Sequence, residues 1–323
     1  MGRPMLNVAV LDDYQGIAKR FADWSRVRAK CAVEFFDRPL SCVDEAATVL
    51  ADFDIICLMR ERMPMSGALI QRLPKLKLIC VTGAHNRTLD LHAAAARGIV
   101  VSHTESASTE HPTSELTWAL ILAAARRIVS ENQSLRSGGW QTTVGQTLQG
   151  RTLGLLGLGR VGKTVARIGT AFGMKLLAWS PNLTKERAAV VDARLVSKSA
   201  LFAESDVVTL HIVLGEGTQG IVGAEELALM RKGSILVNTS RGQLIQEPAL
   251  IDALREQRIG IAALDTFISE PLPAEHPFRT MDNVLATPHL GYVTEETYRR
   301  FYASTVENIE AFLAGDPIRP LRH

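Results

Sequence analysis

The sequence has little charge imbalance and no long uninterrupted apolar run. Its 323 residues include 36 Lys and Arg against 34 Asp and Glu, a formal net charge of +2. The chain therefore lacks the basic excess that holds proteins on nucleic-acid backbones, and we expect no nucleic-acid partner. The longest apolar stretch, Leu116–Ala125, is interrupted by Thr117 and is far shorter than the ~20 residues of a membrane span. We expect no membrane partner either.

Cysteine is scarce, and its spacing excludes the usual cysteine-based sites. There are four cysteines, Cys31, Cys42, Cys57 and Cys80, with no CxxC pair and no His-Cys ligand spacing. We interpret them as small apolar residues in a reducing cytoplasm. The amino terminus has no long apolar core and no small-residue cleavage site, so secretion is not expected. His85, His103 and His111 match no metal-ligand spacing, and we expect no metal.

What the sequence does contain is the composition of a globular protein, with 46% apolar and 22% charged residues. At roughly 100–200 residues per domain, the length suggests about two domains. Short β-branched apolar runs alternate with helical patterns along the chain, which is typical of βαβ units. The fold class is therefore predicted as α/β.

The first series of predicted strands forms one doubly wound layer. Its strands are Leu6–Leu11, Ala32–Phe36, Asp54–Met59, Leu76–Val81 and Ile99–Ser102, with helices near Ile17–Asp23, Asp44–Ala51, Ser66–Arg72 and Asp90–Arg97. A helical connector without a strand follows, from Pro112 to about Ser137. Ser/Thr capping residues and an N1-type proline at Pro112 mark its start.

The second series of strands suits an open dinucleotide-type sheet. Its six predicted strands are Thr152–Leu156, Lys175–Trp179, Asp206–Ile212, Ser234–Asn238, Ile259–Leu264 and Val284–Ala286. The last helical stretch, Glu295–Leu313, is expected to pack back on the first domain, which would make that domain discontinuous in sequence.

A glycine-rich turn follows the first strand of the second series. Residues 157–162 read Gly-Leu-Gly-Arg-Val-Gly and lead into the helical run Lys163–Phe172. Glycine lets the backbone approach a pyrophosphate, and the helix amino terminus offers free N–H groups and a partial positive charge. We predict that the turn binds a dinucleotide. The alternative is a glycine-rich turn with a structural role only.

The carboxylate that holds an adenosine ribose in many dinucleotide folds is missing. It is expected at the end of the next strand, where this sequence has Ser180–Asn182. Ser180 can donate to a ribose oxygen, and Thr184, Lys185 and Arg187 lie just beyond. The alternative is that these two cations are ordinary solvated charges on a helix. We expect both NAD and NADP to be used, with a modest preference for NADPH.

An arginine, a glutamate and a histidine follow the late strands: Arg241, Glu270 and His289. Ligands of doubly wound sheets bind at the carboxyl ends of strands, so all three are expected on the cofactor side. Arginine offers a planar fork for a carboxylate, and histidine can carry a proton near neutral pH. A glutamate bonded to the other ring nitrogen would orient the histidine and stabilise its charged form. Taken alone, each residue has an alternative interpretation as an ordinary loop or surface residue without a catalytic role. Together the three residues form a candidate catalytic set.

Nearly the whole chain resembles the D-isomer-specific 2-hydroxyacid dehydrogenase family, which includes glyoxylate/hydroxypyruvate reductases and D-3-phosphoglycerate dehydrogenase. The strongest stretches are Gly154–Gly173, Asp206–Ile212, Met230–Gly242, Ala262–Pro271 and Asn283–Gly291. The resemblance implies that Arg241 binds the substrate carboxylate and that His289 is the proton donor and acceptor. It also implies that Glu270 pairs with His289.

The resemblance further implies which residues contact the two ligands, with Asp265 holding the nicotinamide carboxamide. The implied cofactor residues are Gly157, Gly159, Arg160, Val161, Gly162, Ser180, Thr239, Ser240, Arg241, Asp265, His289 and Gly291. The implied substrate residues are Arg60, Gly83, Ala84 and Arg241. His85 and Asn86 either line the pocket or face solvent. The family's frequent proline after the strand that ends near His211 is absent here.

The domain organisation implied by the resemblance is a Rossmann dinucleotide-binding domain, residues 104–291, inserted in a smaller flavodoxin-like substrate domain, residues 1–103 and 292–323. The cleft is expected between them. The implied protein is a cytoplasmic NAD(P)-dependent enzyme that interconverts a 2-oxo acid and its D-2-hydroxy acid. It would be a homodimer through the cofactor domain, for which the Leu116–Ala125 helix is suited unless its apolar stripe packs inside.

Two alternative functions share this fold. A dinucleotide-sensing corepressor of the C-terminal-binding-protein type is disfavoured because such proteins add recruiting tails, whereas only a short segment follows Ala314 here. A formate dehydrogenase is disfavoured because that enzyme has glutamine where this chain has Glu270.

Overall fold

A computed structural model describes residues 5–40, 42–105 and 110–321. The chain divides into two compact units, residues 1–108 with 294–323 and residues 109–293. Each unit is built on a parallel sheet flanked by helices, which confirms the predicted α/β class. In the described part of the chain, no helix combines the length and the apolar character that a membrane crossing requires.

The first unit contains a five-stranded parallel sheet in the order β2-β1-β3-β4-β5. Its strands are β1 (Leu6–Val10), β2 (Cys31–Phe35), β3 (Ile55–Leu58), β4 (Leu78–Val81) and β5 (Val100–His103), and its helices up to that point are α1 (Ala18–Phe21), α2 (Ser25–Arg28), α3 (Val43–Leu50), α4 (Gly67–Gln71) and α5 (Leu91–Ala96). The order is that of a flavodoxin-like doubly wound sheet. Every residue of β3 and β4 is buried, as expected of parallel strands covered on both faces.

The second unit contains a seven-stranded parallel sheet in the order β12-β11-β10-β9-β6-β7-β8. The strands are β6 (Thr152–Leu156), β7 (Lys175–Trp179), β8 (Arg194–Leu195), β9 (Val207–Leu210), β10 (Ile235–Asn238), β11 (Ile261–Leu264) and β12 (Val284–Ala286). The helices are α6 (Glu110–Ala125), α7 (Ile128–Arg136), α8 (Arg160–Ala171), α9 (Lys185–Ala189), α10 (Lys198–Glu204), α11 (Ala224–Leu229) and α12 (Glu247–Arg255). The strand order reverses between β6 and β9, and such a switch point is where doubly wound sheets bind ligands.

Two hydrophobic cores hold this second sheet between its helices. On one face Leu153 and Leu155 of β6 pack in a cluster with Trp118 of α6 and Val165 of α8. Alternate strand residues point to the other face, where Leu156 belongs to a cluster that includes buried residues of α10, α11 and α12. The sheet is therefore covered on both sides, which leaves the strand ends as the place for a ligand.

The final helix, α13 (Glu295–Ala314), belongs to the first unit and packs against α1, α2, β4 and β5. It buries Tyr298, Phe301 and Tyr302, each at most 2% exposed. Its amino terminus is capped by Thr294, whose hydroxyl accepts from the Thr297 N–H. The first unit is thus assembled from both ends of the chain.

The connector predicted as a helical stretch without a strand, from Pro112 to about Ser137, is helical and consists of two helices. α6 ends at Ala125 and α7 begins at Ile128, with Arg127 in the left-handed region at φ 53° between them. Pro112 is the third residue of α6 and not its first. The break was not anticipated because neither glycine nor proline marks it.

The interpretation of the cysteines as small apolar residues holds for three of the four. Cys31, Cys57 and Cys80 are buried, and Cys57 of β3 is the register partner of Cys80 of β4. Cys42 is exposed just before α3, so for that residue the interpretation was wrong.

Candidate active site

The glycine-rich turn joins β6 to α8 at the switch point of the second sheet. Gly157 has φ 105°, and a Cβ there would lie 2.6 Å from the backbone carbon of His211. Only glycine fits because the turn crosses so closely over the end of β9. No atom lies within 4 Å of a Cβ built on Gly159, which is the N-cap of α8. Open backbone at a helix amino terminus fits the pyrophosphate of a dinucleotide.

The side chains of this turn differ in their surroundings. Arg160 is 84% exposed, and its Nε lies 3.6 Å from Glu110 Oε2 on α6. Val161 is partly buried against the core of the unit. Below the turn, Thr209 Oγ1 and His211 Nε2 are hydrogen-bonded at 2.9 Å, and burial lowers the pKa of His211 to about 3. His211 is therefore neutral and adds no positive charge beneath the turn. The sequence analysis did not single it out as a site residue.

The turn after β7 is where the missing ribose carboxylate would lie. Ser180 is half-buried and its carbonyl accepts from the Leu183 N–H at 3.1 Å. Arg187 Nη1 donates to the Asn182 carbonyl at 3.0 Å, so this guanidinium lies against the turn. Lys185 is exposed on the same short helix. Of the two cations considered from the sequence, the structure therefore brings Arg187 to the turn.

The loop after β10 carries Arg241 and is held by Asn238, which is fully buried. Asn238 Nδ2 donates to the Arg241 carbonyl at 2.8 Å, and Asn238 Oδ1 accepts from the Ser240 N–H at 3.0 Å. Ser240 Oγ donates to the Ile212 carbonyl at 2.8 Å, and Arg241 Nη1 donates to the Ser240 carbonyl at 2.8 Å. The loop is thus fixed by side-chain bonds at Ser240 and at Arg241 itself.

Gly242 brings the Arg241 loop against the loop after β11. A Cβ at Gly242 would lie 2.2 Å from the carbonyl carbon of Phe267, so the two backbones are in direct contact. Glu270 lies on that second loop, and the positive charge of Arg241 is one of the influences that lower its pKa. The structure therefore brings Arg241 and Glu270 together, as expected for members of one site.

Glu270 and His289 form a hydrogen-bonded pair, with Glu270 Oε2 2.6 Å from His289 Nδ1. Glu270 Oε1 also accepts from the Phe267 N–H at 2.8 Å. Burial raises the pKa of Glu270, but the hydrogen bond and charge of His289, together with the Phe267 N–H and the charge of Arg241, outweigh burial and the pKa lies below its ordinary value. The carboxylate is therefore charged at neutral pH and fixes the ring through Nδ1. Nε2, which takes no part in this bond, is the nitrogen left for a substrate.

Asp265, at the end of β11, holds the loop that carries His289. Its carboxyl group is fully buried: Oδ1 accepts from Thr287 Oγ1 and from the Leu290 N–H, both at 2.7 Å, and Oδ2 accepts from the Gly291 N–H at 2.9 Å. Burial raises the pKa of Asp265 against the opposing effect of these hydrogen bonds. The loop is thereby held with His289 at φ 53°. The sequence analysis missed this positioning role, and the implied contact between Asp265 and a nicotinamide stays a prediction.

In the first unit, Arg60 and Gly83 lie together at the ends of β3 and β4. The Arg60 N–H donates to Thr82 Oγ1 at 2.7 Å, and Arg60 Nη1 lies 1.8 Å from the position of a Cβ on Gly83. Gly83, at φ 84°, donates its own N–H to Thr104 Oγ1 at 2.8 Å. The Gly83 amide is thus engaged within the unit, while the neighbouring Ala84 is half-buried. Substrate contacts of Arg60, Gly83 and Ala84 stay predictions.

Of the two alternatives considered for Asn86, the solvent-facing one was wrong, and pocket lining stays a prediction. Asn86 is 6% exposed, and its Nδ2 donates to the Arg60 carbonyl at 2.7 Å. Its Oδ1 accepts from the N–H and the hydroxyl of Thr88, both at 2.9 Å. Through these hydrogen bonds Asn86 holds the turn that carries Arg60. His85 is exposed.

Comparisons with known proteins show which proteins this chain is similar to. A family model described as D-isomer specific 2-hydroxyacid dehydrogenase, NAD binding domain, matches residues 118–291. The glyoxylate reductase of Aeropyrum pernix is 40% identical over 256 residues, which cover 76% of each protein. The D-3-phosphoglycerate dehydrogenase of Methanocaldococcus jannaschii is 38% identical over 276 residues, 84% of this chain but only 52% of that longer protein. The crystal structure of a phosphoglycerate oxidoreductase from Vibrio cholerae is similar with a TM-score of 0.90 at 34% identity, covering 96% of this chain and 100% of that one.

Proposed function

Because the chain belongs to the D-isomer-specific 2-hydroxyacid dehydrogenase family, we propose that it reduces a small 2-oxo acid to its D-2-hydroxy acid, and catalyses the reverse reaction, with NAD(P)(H). The observation that carries the proposal is the His289–Glu270 pair beside Arg241. These residues follow the neighbouring strands β12, β11 and β10, so they lie at one edge of the sheet. Residues 109–293 are then the cofactor domain, and the other unit, with Arg60 and Gly83, is the substrate-side domain.

The mechanism uses each of the three side chains at a defined atom. Arg241 binds the substrate carboxylate with its guanidinium and polarises the adjacent carbonyl. Protonated His289 donates from Nε2 to the oxygen on C2 as negative charge develops there. Glu270 stabilises the imidazolium through Nδ1 and keeps the ring in place. A dinucleotide bound at the glycine-rich turn would supply the hydride for C2.

The test is a turnover screen of glyoxylate, hydroxypyruvate and larger 2-oxo acids with NADH and with NADPH, followed by chiral analysis of the product. We expect turnover of at least one small 2-oxo acid and a D-product. An L-product, or binding of the dinucleotide without turnover of any 2-oxo acid, would contradict the proposal.

Cofactor choice is proposed to depend on Ser180 and Arg187. A carboxylate at position 180 would repel a 2′-phosphate, so its absence removes the main barrier to NADP. The Arg187 guanidinium lies against the same turn and can face the phosphate. We expect kcat/KM for NADPH to exceed that for NADH by about tenfold or less, equivalent to ~1.4 kcal/mol.

Ser180→Asp is expected to shift the preference toward NADH, because the new carboxylate accepts from the ribose hydroxyls and repels the phosphate. The measurement is kcat/KM with both reduced cofactors. Arg187→Gln should weaken NADPH binding selectively, and Lys185→Gln, which removes an exposed cation of the same helix, is the matched control. A strict NADH preference in the wild type, or no shift in Ser180→Asp, would overturn this account.

Glu270→Gln is expected to lower the upper pH limit of the reductive reaction. The pKa of Glu270 is lowered by its interaction with His289, so the carboxylate persists at neutral pH and helps to retain the imidazolium proton. A neutral amide gives no such charge, and the ring then loses its proton at lower pH. The measurement is the pH profile of kcat/KM for the 2-oxo acid.

The matched control for Glu270→Gln is Glu247→Gln. Glu247 Oε1 lies 3.1 Å from His276 Nε2 in a second Glu–His pair outside the site, so its loss should leave the pH profile unchanged.

Because the pKa of Glu270 is lowered on folding, its contribution to stability is present above the ordinary carboxyl range and is lost as pH falls through the lowered value. This change in stability occurs at acidic pH and is therefore separate from the upper pH limit of the reductive reaction. Identical profiles for wild type and Glu270→Gln would mean that the pair is not coupled in the reaction.

A homodimer through residues 109–293 is also proposed, but not through Leu116–Ala125, because Trp118 and Ile121 of that helix are buried in the core of their own unit. A group of exposed apolar side chains lies instead on the next helix and the segment after it. Its members are Ile128 (52% exposed), Val129 (53%), Leu135 (56%), Trp140 (76%) and Val144 (95%). α7 buries none of its own residues, which favours a second copy of the chain as its cover. Light scattering measures the mass, and a monomer at micromolar concentration would contradict the proposal.

A further inference from the structure

One face of α6 contacts three loops of the second unit. Glu110, Thr113 and Thr117 are spaced i, i+3 and i+7, so they lie on the same side of the helix. Glu110 pairs with Arg160 of the glycine-rich turn, Thr113 bonds Gly291, and Thr117 bonds Thr239. The first of these is an exposed ion pair at 3.6 Å and contributes little. The two threonine contacts carry the inference.

Thr113 secures the loop that bears His289. Its Oγ1 donates to the Gly291 carbonyl at 3.0 Å, while the Gly291 N–H donates to Asp265 Oδ2 at 2.9 Å. Gly291 is therefore held at both its N–H and its C=O, two residues after His289. Because position 289 has φ 53°, in the left-handed region that residues other than glycine adopt only uncommonly, contacts from outside the loop help to keep that conformation.

Thr117 secures the loop that bears Arg241. Its Oγ1 lies 2.8 Å from Thr239 Oγ1 and donates to the Thr113 carbonyl at 2.8 Å. A hydroxyl has one proton, so Thr239 must donate to Thr117 when Thr117 donates to its own helix. Both side chains are buried, at 0% exposed for Thr117 and 7% for Thr239. A buried hydroxyl whose proton has no acceptor would be costly. Thr239 therefore donates to Thr117, and Thr117 donates to the Thr113 carbonyl.

We propose that Thr113 and Thr117 are positioning residues of the reaction, which set the separation of the His289 loop from the Arg241 loop through one rigid helix. The inference rests on the proposed function. The two threonines hold different loops. Thr113 holds the loop of the proton donor His289, and Thr117 holds the loop of the carboxylate-binding Arg241.

The experiment compares Thr113→Val and Thr117→Val with Thr113→Ser and Thr117→Ser. Valine keeps the shape and removes the hydroxyl, whereas serine keeps the hydroxyl. We expect Thr113→Val to lower kcat about three- to tenfold with KM for the 2-oxo acid unchanged, which corresponds to the loss of one hydrogen bond. Thr117→Val should raise that KM by a similar factor with a smaller effect on kcat. The serine variants should stay within about twofold of wild type, because the bonds to the loops remain.

Thr170→Val is the matched control, because Thr170 Oγ1 donates at 3.3 Å to the Ala166 carbonyl of its own helix. It should change neither kcat nor KM. If Thr117→Val does not fold, Thr239→Val removes the same bond from the other side. Wild-type kinetics in the valine variants, or serine variants as impaired as the valine ones, would overturn the inference. A wild-type enzyme that reduces no 2-oxo acid would instead overturn the proposed function.

Discussion

Replacing His289 with glutamine lowers turnover of a 2-oxo acid by about 10²–10⁴-fold, the range expected when a general acid–base is lost. Glutamine cannot supply a proton from the place of Nε2, and Glu270 then has no cation to stabilise. Dinucleotide affinity should be largely kept, because the glycine-rich turn lies on a different loop. The measurements are kcat with the best 2-oxo acid and a binding titration of the reduced cofactor.

The backbone at His289 adds a control to that experiment. Residue 289 has φ 53°, a conformation that asparagine tolerates better than most residues. His289→Asn therefore removes the acid–base while keeping the loop conformation favourable. If both variants lose turnover alike, the loss is chemical and not a consequence of backbone strain. Near-normal turnover in either one would remove His289 from the mechanism.

Arg241→Lys is expected to lower kcat/KM for the 2-oxo acid by about 10- to 100-fold, because a point charge replaces a bidentate fork that makes charge-assisted hydrogen bonds. The remaining positive charge should preserve the lowered pKa of Glu270 in part, so the pH profile should change less than the rate. Steady-state kinetics over a range of 2-oxo acid concentrations measures the effect.

Arg279→Lys is the matched control for Arg241→Lys. Arg279 Nε donates to the Pro273 carbonyl at 2.8 Å on the segment that follows Glu270, so it holds a neighbouring loop without belonging to the candidate set. Wild-type kcat/KM in Arg241→Lys would show that another cation holds the substrate carboxylate, with Arg60 the first to examine.

Strand positions could be predicted from the sequence because parallel strands buried on both faces are nearly continuous apolar runs. β6, β7 and β12 have the predicted bounds. β8 was missed because a strand of two residues, Arg194–Leu195, has no periodicity to detect. The grouping of Arg241, Glu270 and His289 could be anticipated as well, since parallel strands deliver their following loops to the same edge.

The parts of the site that could not be predicted depend on contacts between distant residues. The Asp265 carboxyl group is bonded to a loop 22–26 residues further along, and Thr113 reaches Gly291 across 178 positions. No local pattern encodes such a bond. Asn86 is a similar case, because an asparagine in a loop looks like a surface residue until its partner, the Arg60 carbonyl, is known.

The contact between Arg60 and Gly83 restricts which residues positions 60 and 83 can hold. Because Arg60 Nη1 occupies the space beside the Gly83 Cα, any side chain introduced at 83 displaces the guanidinium. A substitution at position 83 therefore requires the Arg60 side chain to move or to be shortened, and it is also strained because Gly83 has φ 84°. Position 60 carries no such requirement, because a shorter side chain there leaves Gly83 unchanged. A mutant library can therefore vary position 60 alone, whereas changes at 83 need position 60 varied with them.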